Sequence, residues 1–258
     1  MNGAVASLGA RALGVAETFG GLTVLGGQTL RVVIERRVPW RAVLHSLDDI
    51  GAKSVSIVTL TALFTGLVLA LQTGIGLKRF GSTQYVGYVV SLAIVRELGP
   101  VLTALIVGGR VAGGIAAELG AMTVTEQVDA IRAMGSDPIR RLVLPRVLAC
   151  AIALPMLTVL SDVLGVLGGM LIAKAQFNLP ASWFLQTIVL SVLPSDVFSG
   201  LTKTVFFGLA IGLIACHEGL LTRGGTVGVG TSATRAVVFA SLSVLVLNFF
   251  LTKLLILL

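Results

Sequence analysis

Five apolar stretches, each long enough to cross a membrane as a helix, constrain this sequence more than any other feature. A spanning helix needs roughly 20 mostly apolar residues, because about 30 Å of hydrocarbon is crossed at about 1.5 Å per residue. The predicted spans are residues 54–72, 86–117, 142–173, 197–217 and 236–258. The sequence therefore predicts an all-α integral membrane protein with about five transmembrane helices.

A sixth apolar stretch, residues 181–193, is shorter than the other five. As a helix it would reach only about 20 Å, which is less than the thickness of the hydrocarbon. We therefore expect this segment to lie at the membrane interface or to re-enter the membrane.

The composition supports a membrane protein and excludes several other classes. Only 12% of the 258 residues are charged and 55% are hydrophobic, whereas a soluble domain carries about 25% charged residues. An ordinary soluble enzyme, a disordered tail and a disulfide scaffold are thereby excluded. The net charge is +7, but the basic residues form no patch interleaved with aromatic residues, so no nucleic acid is expected as a partner. The two cysteines, Cys150 and Cys216, lie in apolar runs and are expected to be small buried side chains.

Residues 1–45 differ in character from the rest and are predicted to form an amphipathic, interfacial segment. Apolar residues recur there at helical spacing, followed by several arginines, and Trp40 is a candidate interfacial anchor. Glycines at five positions weaken this helix in water, so a weakly ordered tail is the alternative. The helical face comprises Leu8, Ala12, Val15, Phe19 and Leu22; the glycines are Gly14, Gly20, Gly21, Gly26 and Gly27.

The distribution of basic residues predicts the orientation. With the N-terminus in the cytoplasm, the loops on that side carry more Lys and Arg than the outer loops, as the positive-inside rule requires. The C-terminus is then on the outer side of the membrane. The basic residues assigned to the outer side are Lys78, Arg79, Lys174, Lys203 and Lys253.

Several charged residues fall within the predicted spans, where they are costly and usually face a polar cavity or one another. Arg96 and Glu97 interrupt the second span just before Pro100, and we expect at least one of them to face the interior of the protein. Hydrogen bonds between helices are the structural alternative. Arg110 and Glu118 are expected to pair with each other or with other spans, and Asp162 to be a helix-bonded structural carboxylate. No catalytic residue and no metal ligand is predicted, because no suitable His, Cys, Asp, Glu or Ser spacing occurs.

A short helix is predicted over residues 123–134, in the loop after the second span. Thr123 and Glu126 have the spacing of a capping box, Gly135 suits a left-handed stop, and Pro138 prevents continuation. The helix would present an apolar ridge with acidic flanks, which suits a groove on a partner protein. Packing of this ridge against the chain's own membrane domain is an equally good alternative on physical grounds. The ridge residues are Val124, Val128 and Ile131.

These local patterns together resemble the MlaE permease family, the transmembrane subunits of bacterial ABC systems that move phospholipid between inner and outer membranes. The resemblance covers residues from about 45 to the C-terminus, here taken as a permease domain at 46–258, whereas residues 1–45 match only in character. It is carried by Arg96-Glu-Leu-Gly-Pro, by Gly120-Ala-Met-x-Val-Thr-Glu-Gln-Val-Asp-Ala, by Met134-Gly-x-x-Pro, by Leu144-Pro-Arg and by the glycine-rich run 219–231.

The resemblance implies a set of partners and a location in the bacterial inner membrane. The chain would form a homodimer above two copies of a cytoplasmic ABC ATPase, below a periplasmic hexameric ring of MCE-domain protein, sometimes with a STAS-domain protein. It would not be an enzyme and would hold no cofactor, because ATP and Mg²⁺ would be bound by the ATPase. The sequence carries no phosphate-binding loop motif, and the run 224–230 has neither the lysine nor the preceding strand of one, so we expect a flexible turn there.

The resemblance also implies two groups of site residues. One would couple the helix at 123–134 to the ATPase, and the other would line a lipid cavity between the two copies of the chain. The coupling residues would be Val124, Glu126, Val128, Asp129, Ile131 and Arg132. The lipid-binding residues would be Leu67, Leu71, Gln72, Tyr85, Tyr88, Leu92, Arg96 and Glu97.

Three other functions remain open from the sequence. An ion-gradient-driven secondary transporter or channel for a hydrophobic substrate would use Arg96, Glu97 and Asp162 as a relay. A membrane-embedded enzyme acting on lipids would need a cluster of polar residues that the sequence does not show. A scaffold would anchor the ATPase and the outer ring without a cargo cavity.

Overall fold

The computed structural model describes residues 20–35 and 38–257, and these residues form helices joined by short turns, with no strand among them. Short 3₁₀ turns occur at Ala52–Ser54 and Thr83–Tyr85, and π-helical turns at Ile94–Leu98 and Ile139–Val143. The helices are α1 (residues 20–34), α2 (Trp40–Ile50), α3 (Val55–Lys78), α4 (Val86–Ala93), α5 (Gly99–Val124), α6 (Gln127–Ala133), α7 (Leu144–Phe177), α8 (Ala181–Ser191), α9 (Pro194–Leu220) and α10 (Gly225–Leu257).

Five helical segments of the described chain are long and apolar enough to cross a membrane, as predicted. The protein is therefore an all-α, multi-pass membrane protein. The apolar helix α8 has 11 residues, and its location at the interface stays a prediction. The five segments are Trp40–Lys78, Thr83–Val124, Ile139–Phe177, Pro194–Leu220 and Gly225–Leu255.

Glycines let the long helices approach one another closely. A Cβ on Gly66 of α3 would overlap the carbonyl oxygen of Gly165 in α7, and one on Gly208 of α9 would lie 2.5 Å from the carbonyl oxygen of Cys150. Membrane helices associate through such close packing, because lipid supplies no hydrophobic driving force between them. Cys150 and Cys216 are both fully buried there as small side chains.

The second spanning segment is one continuous helical run that widens at the predicted interruption. Pro100 has no N–H, so the carbonyl of Arg96 lacks its usual donor four residues later. The backbone forms a π-helical turn over Ile94–Leu98, and the N–H of Gly99 bonds the carbonyl of Ile94. The chain thus passes Pro100 without ending the helix.

The glycine-rich run 224–230 is not a flexible turn, and that prediction was wrong. Gly224 and Gly225 have positive φ values of 89° and 67°, but α10 begins at Gly225 and includes the remaining glycines. A Cβ on Gly228 would overlap the carbonyl oxygen of Arg223. A glycine there lets the first turns of α10 fold back over the preceding loop.

The N-terminal helix α1 packs on the membrane domain through one face. Leu25, Thr29 and Val32, at helical spacing, are buried, and Gly21 lies against the imidazole of His217 in α9. Trp40, the first residue of α2, is 63% exposed, as an interfacial anchor would be. The predicted helical face at Leu8, Ala12, Val15 and Phe19 lies outside the described residues.

Candidate functional site

A buried ammonium group lies at the centre of a polar network between three helices. Lys203 of α9 is 1% exposed. Its Nζ donates to the carbonyl oxygen of Arg96 at 2.7 Å, to Oε1 of Glu97 at 3.0 Å and to the hydroxyl of Thr252 at 3.2 Å. An ammonium group has three donors, so each of them has an acceptor here.

The π-helical turn explains why this lysine is placed here. The carbonyl of Arg96 is the group that loses its helical donor to Pro100, and Lys203 supplies the missing hydrogen bond. A buried backbone carbonyl without a donor is unfavourable. Lys203 therefore donates the hydrogen bond that the Arg96 carbonyl would otherwise lack, and Glu97 balances the charge of Lys203.

Glu97 joins this network to the last helix. Its Oε2 accepts a hydrogen bond from Nδ2 of Asn248 at 3.3 Å, and its Oε1 lies 3.2 Å from the Thr252 hydroxyl. Both partners belong to α10 and are four residues apart, so they share one face of that helix. One carboxylate therefore connects the π-helical turn with α9 and α10.

Arg96 points away from Glu97 and forms a separate ion pair with the start of α9. Its Nε lies 3.5 Å from Oδ1 of Asp196, and Oδ2 of Asp196 accepts the backbone N–H of Leu193 at 3.0 Å. Both charges of the pair Arg96–Glu97 are thus engaged with other helices, which was the structural alternative. Glu97 is the one that points inward among α9 and α10.

Lys203 was wrongly assigned to the outer loops, because charge counting along a sequence does not detect a lysine whose partner is on another span. Asp196, Asn248 and Thr252 were also missed. The available signals were the position of Lys203 well inside an apolar run and the four-residue spacing of Asn248 and Thr252 in an apolar span.

An open cleft of about 480 Å³ lies beside the network. Glu97, Asn248 and Thr252 form its polar side, and apolar side chains of α10 form most of the rest. Of the predicted lipid-binding residues, Glu97 lines this cleft. Gln72, Tyr85 and Tyr88 are exposed elsewhere on the protomer, and Leu67, Leu71 and Leu92 are half-buried. The apolar lining residues are Leu245, Phe249 and Leu257.

The other charged groups inside the spans form contacts between helices or remain without a partner. Arg110 donates from Nη1 to the hydroxyl of Ser54 at 2.7 Å, and Glu118 pairs with Arg146 at 2.7 Å, so the two bind other helices and not each other. Oδ1 of Asp162 is buried against Gly99 and has no hydrogen-bond partner among the described residues, contrary to the expected helix bond. No three His, Cys, Asp or Glu side chains converge as metal ligands within residues 20–35 and 38–257.

The predicted capping box at Thr123 and Glu126 does not form. Helix α5 continues to Val124, and the Thr123 hydroxyl donates to the carbonyl of Leu119 at 2.8 Å inside that helix. Glu126 makes the turn with a positive φ of 59°, so α6 begins only at Gln127. The predicted stop is confirmed, because Gly135 has a φ of 71°.

The apolar ridge of α6 faces the membrane domain. Val128 and Ile131 are 3% and 8% exposed and belong to the main hydrophobic core. The prediction that these two residues are offered to a partner was therefore wrong, and the structural alternative applies to them. The exposed side of the segment carries Glu126, the ion pair Asp129–Arg132 at 2.8 Å, and Met134, which is 71% exposed.

Comparisons with known proteins agree with this architecture. Residues 43–254 match the family model described as Permease MlaE. A probable ABC transporter permease protein of Rickettsia bellii is 38% identical over 248 residues, which cover 96% of each chain. A protein of the same description from Synechocystis is 41% identical over 228 residues, 88% of this chain and 87% of that one. The chloroplastic protein TRIGALACTOSYLDIACYLGLYCEROL 1 of Arabidopsis thaliana is 35% identical over 230 residues, 89% of this chain and 66% of that one.

Proposed function

Because this chain belongs to the MlaE permease family, we propose that it is the membrane-spanning subunit of an ABC transporter that moves phospholipid. Hydrolysis of ATP takes place on a separate ATPase subunit, which also binds Mg²⁺. The names of the bacterial relatives support the ABC assignment. The name of the plant relative, which contains that of a galactolipid, supports a lipid cargo.

The cleft beside Glu97 is the observation that supports a lipid as the cargo. Leu245, Phe249 and Leu257 form its apolar walls, and its polar lining consists of Glu97, which Lys203 holds, with Asn248, Thr252 and Lys253. Burial of each methylene of an acyl chain contributes about 0.8 kcal/mol. Such walls favour a cargo with long hydrocarbon chains and little head-group recognition. Closing of the cavity by the ATPase would then expel a tightly held cargo.

A second copy of the chain completes the cavity in this proposal. The cleft is open on one side in the protomer, and Leu67, Leu71, Gln72, Tyr85, Tyr88, Leu92 and Arg96 line the joint cavity together with Glu97. The homodimer lies in the inner membrane with its N-terminus in the cytoplasm and its C-terminus in the periplasm. An MCE-domain ring binds the periplasmic side, and a STAS-domain protein is a further partner of the ATPase.

The ATPase binds the exposed side of α6 in this proposal. The contact surface comprises Glu126, Asp129, Arg132 and Met134, with Val124 at its edge, since Val124 is 37% exposed. Val128 and Ile131 act indirectly, because their burial fixes the helix to the membrane domain. Movement of the ATPase would thus reach α5, on which α6 packs.

Transport in proteoliposomes tests the proposal. The chain is reconstituted with and without its ATPase, and transfer of a fluorescent phospholipid to acceptor vesicles is measured. We expect transfer that requires both ATP and the ATPase. Transfer by the chain alone along an ion gradient would contradict the proposal.

Photocrosslinking tests the position of the cavity. A photoreactive residue at Leu71, Tyr85 or Phe249 should give lipid adducts that survive purification in detergent. The same residue at Val163, an exposed position of α7, reports contact with bulk lipid and is the control. Adducts at Phe249 but not at Leu71 or Tyr85 would restrict the cavity to the α10 side.

A secondary transporter is the second candidate, and the unpartnered oxygen of Asp162 favours it. A buried carboxylate beside Gly99 and near the Arg96–Glu97 turn is the kind of group that a relay requires. Asp162→Asn should abolish gradient-driven transport under this candidate. Under the ABC proposal the same variant should leave ATP-dependent transfer intact.

A further inference from the structure

A basic cleft of about 550 Å³ lies between α1, the start of α2 and the turn after α6. Arg41, Arg140 and Arg141 line it together with the carboxylates Glu35 and Asp137. Arg41 and Arg141 are exposed and form no ion pair within the described part of the chain. The cleft therefore holds at least two guanidinium groups whose charge no carboxylate neutralises.

The two carboxylates of this cleft are already engaged by neighbouring groups. Oε1 of Glu35 accepts a hydrogen bond from Nε of Arg31 at 3.1 Å. Oδ1 of Asp137 accepts the backbone N–H of Ile139 at 2.9 Å, at the start of the π-helical turn Ile139–Val143. The lining still carries three arginines against these two carboxylates, so its net charge is positive and favours an anion.

A separate apolar groove of about 460 Å³ lies further along α2, and no residue lines both the groove and the basic cleft. Leu44 and Leu47 of α2 line one wall, and Met156, Leu157 and Leu160 of α7 line the other. Arg41 and Leu44 are three residues apart, so about 4.5 Å of helix axis separates the basic cleft from the apolar groove. The one acidic residue of the groove, Asp48, is exposed.

We propose that the cleft and the groove form one binding site for a membrane phospholipid. Its phosphate lies between Arg41 and Arg141, and an acyl chain lies in the groove between α2 and α7. Guanidinium groups bind phosphate oxygens through paired hydrogen bonds, and the leucine and methionine walls suit a hydrocarbon chain. The exposed Trp40 at the start of α2 places this region at the level of lipid head groups.

The position of both cavities along the same helix, α2, favours lipid over other anions. Free phosphate would use the arginines and leave the groove empty, and so would an acidic surface of a partner protein. The site is also separate from the candidate cargo cavity. Glu97 lies just before the first turn of α5, whereas the basic cleft adjoins the segment that follows the last turn of α5. The 26 residues of α5 span about 39 Å, which separates the two sites. A lipid here joins α2 to α7 rather than being transported.

Native mass spectrometry with dioleoylphosphatidylglycerol tests the arginines. The full chain is purified in mild detergent and titrated with the lipid. For the double variant Arg41→Gln/Arg141→Gln we expect affinity for the tightest-bound lipid to fall about tenfold or more. Arg79→Gln is the matched control, since Arg79 is an exposed arginine at the other end of α3, and it should bind like the parent. Unchanged binding by the double variant would overturn the proposal.

The groove is tested by filling it. Ala52 lines the groove and is exposed, so Ala52→Phe should weaken binding of the dioleoyl lipid and leave binding of dihexanoylphosphatidylglycerol unchanged. Equal effects on both lipids, or competition by millimolar inorganic phosphate as strong as that by lipid, would show a phosphate-only site. Loss of a copurifying protein by the arginine variant, with lipid binding unchanged, would show a protein-docking surface. Either result overturns the proposal.

Folding of the variants is controlled in the same experiment. The midpoint of thermal unfolding in lipid-free detergent should match the parent chain, because the substituted side chains are exposed. Should the glutamine variant unfold early, Arg41→Lys/Arg141→Lys replaces it. Lysine keeps the charge but lacks the planar fork of arginine, so we expect a smaller, still measurable loss of affinity; parental affinity of this variant would overturn the proposal.

Discussion

The ammonium group of Lys203 lies in the interior of the protein with all three of its donors occupied. A buried charge is tolerated when it is paired, but removal of its partner leaves it uncompensated. Two of its acceptors, the Arg96 carbonyl and Glu97, belong to one π-helical turn. The stability of this turn and the burial of the lysine therefore depend on each other.

Variants of this pair should have unequal effects on stability. Glu97→Ala leaves the buried ammonium without its carboxylate and should lower the free energy of unfolding by about 3 kcal/mol. Lys203→Met removes the buried charge and leaves the Arg96 carbonyl without a donor and Glu97 without its cation. Because Glu97 is partly exposed beside the cleft, the effect should be smaller, about 1–2 kcal/mol. Unfolding in detergent by denaturant or heat measures both.

The double variant Glu97→Ala/Lys203→Met is the control for this prediction. Because it removes both charges, it should be more stable than Glu97→Ala alone, which is a coupling that a double-mutant cycle measures. Additive effects of the two single changes would show that the two side chains do not stabilise each other.

At the scale of single residues, the sequence shows which charged residues fall inside spans, but it does not show which groups pair with them. The positions of Arg96, Glu97 and Asp162 inside spans were visible as unfavourable, and so was the need for compensation. That Lys203 compensates Glu97 depends on the packing of α9 against the π-helical turn, more than a hundred residues away along the chain. Such a contact has no local sequence signal.

The close approach of α3 and α7 depends on single glycines. Gly66→Ala should lower the free energy of unfolding by about 1–3 kcal/mol, because the added Cβ overlaps the carbonyl oxygen of Gly165 and forces the helices apart. Gly76→Ala is the matched control in the same helix. No atom lies within 4 Å of a Cβ there, so stability should be unchanged or slightly raised. Equal losses for both variants would contradict the packing argument.

The two faces of α6 should respond differently to the same type of change. Met134→Asp, on the exposed side, should reduce copurification with the ATPase and leave thermal stability unchanged. Ile131→Asp places a charge in the hydrophobic core and should lower the free energy of unfolding by at least about 3 kcal/mol. Copurification and thermal unfolding, measured on the same samples, separate the two effects.

Phe80→Asp is the control for the helix α6 experiment. Phe80 is 81% exposed in the loop after α3, far along the chain from α6, and its change should affect neither measurement. Normal copurification of Met134→Asp would remove the exposed side of α6 from the proposed contact.

At the scale of helices, spans are easier to predict than their ends. The five spans follow from the length of apolar sequence, which is a local property. The start of α6 was missed because a threonine hydroxyl can bond either the next helix or its own, and Thr123 bonds the carbonyl of Leu119. The glycines at 224–230 indicated a turn, but close packing of α10 over Arg223 makes most of them helical.

Among the five spans of the described chain, α10 is the least buried. Of its most apolar stretch 11% is buried, against 44% for the corresponding stretch of α9. In a homodimer, part of this exposed face would contact the second copy and close the cleft beside Glu97. The remainder would face lipid.

Cysteine crosslinking tests this arrangement for the whole molecule. Phe249→Cys should form a disulfide between two copies under mild oxidation, giving a dimer on non-reducing gels. The native Cys150 and Cys216 are fully buried and should not react, so the parent chain is the first control. Val163→Cys, on the exposed surface of α7, is the second. A dimer from Val163→Cys but not from Phe249→Cys would place the interface on α7.

The additional residue in the turn Ile94–Leu98 also has a geometric consequence for the helix in which it lies. It gives α4 and α5 an angular offset of roughly 100° relative to an unbroken α-helix. This offset lets Ser91 reach the hydroxyl of Ser191 in α8 at 3.0 Å while Glu97 reaches α9 and α10. Deletion of one residue from the turn would remove this offset. Ser91 could then no longer contact Ser191 of α8 while Glu97 contacts α9 and α10.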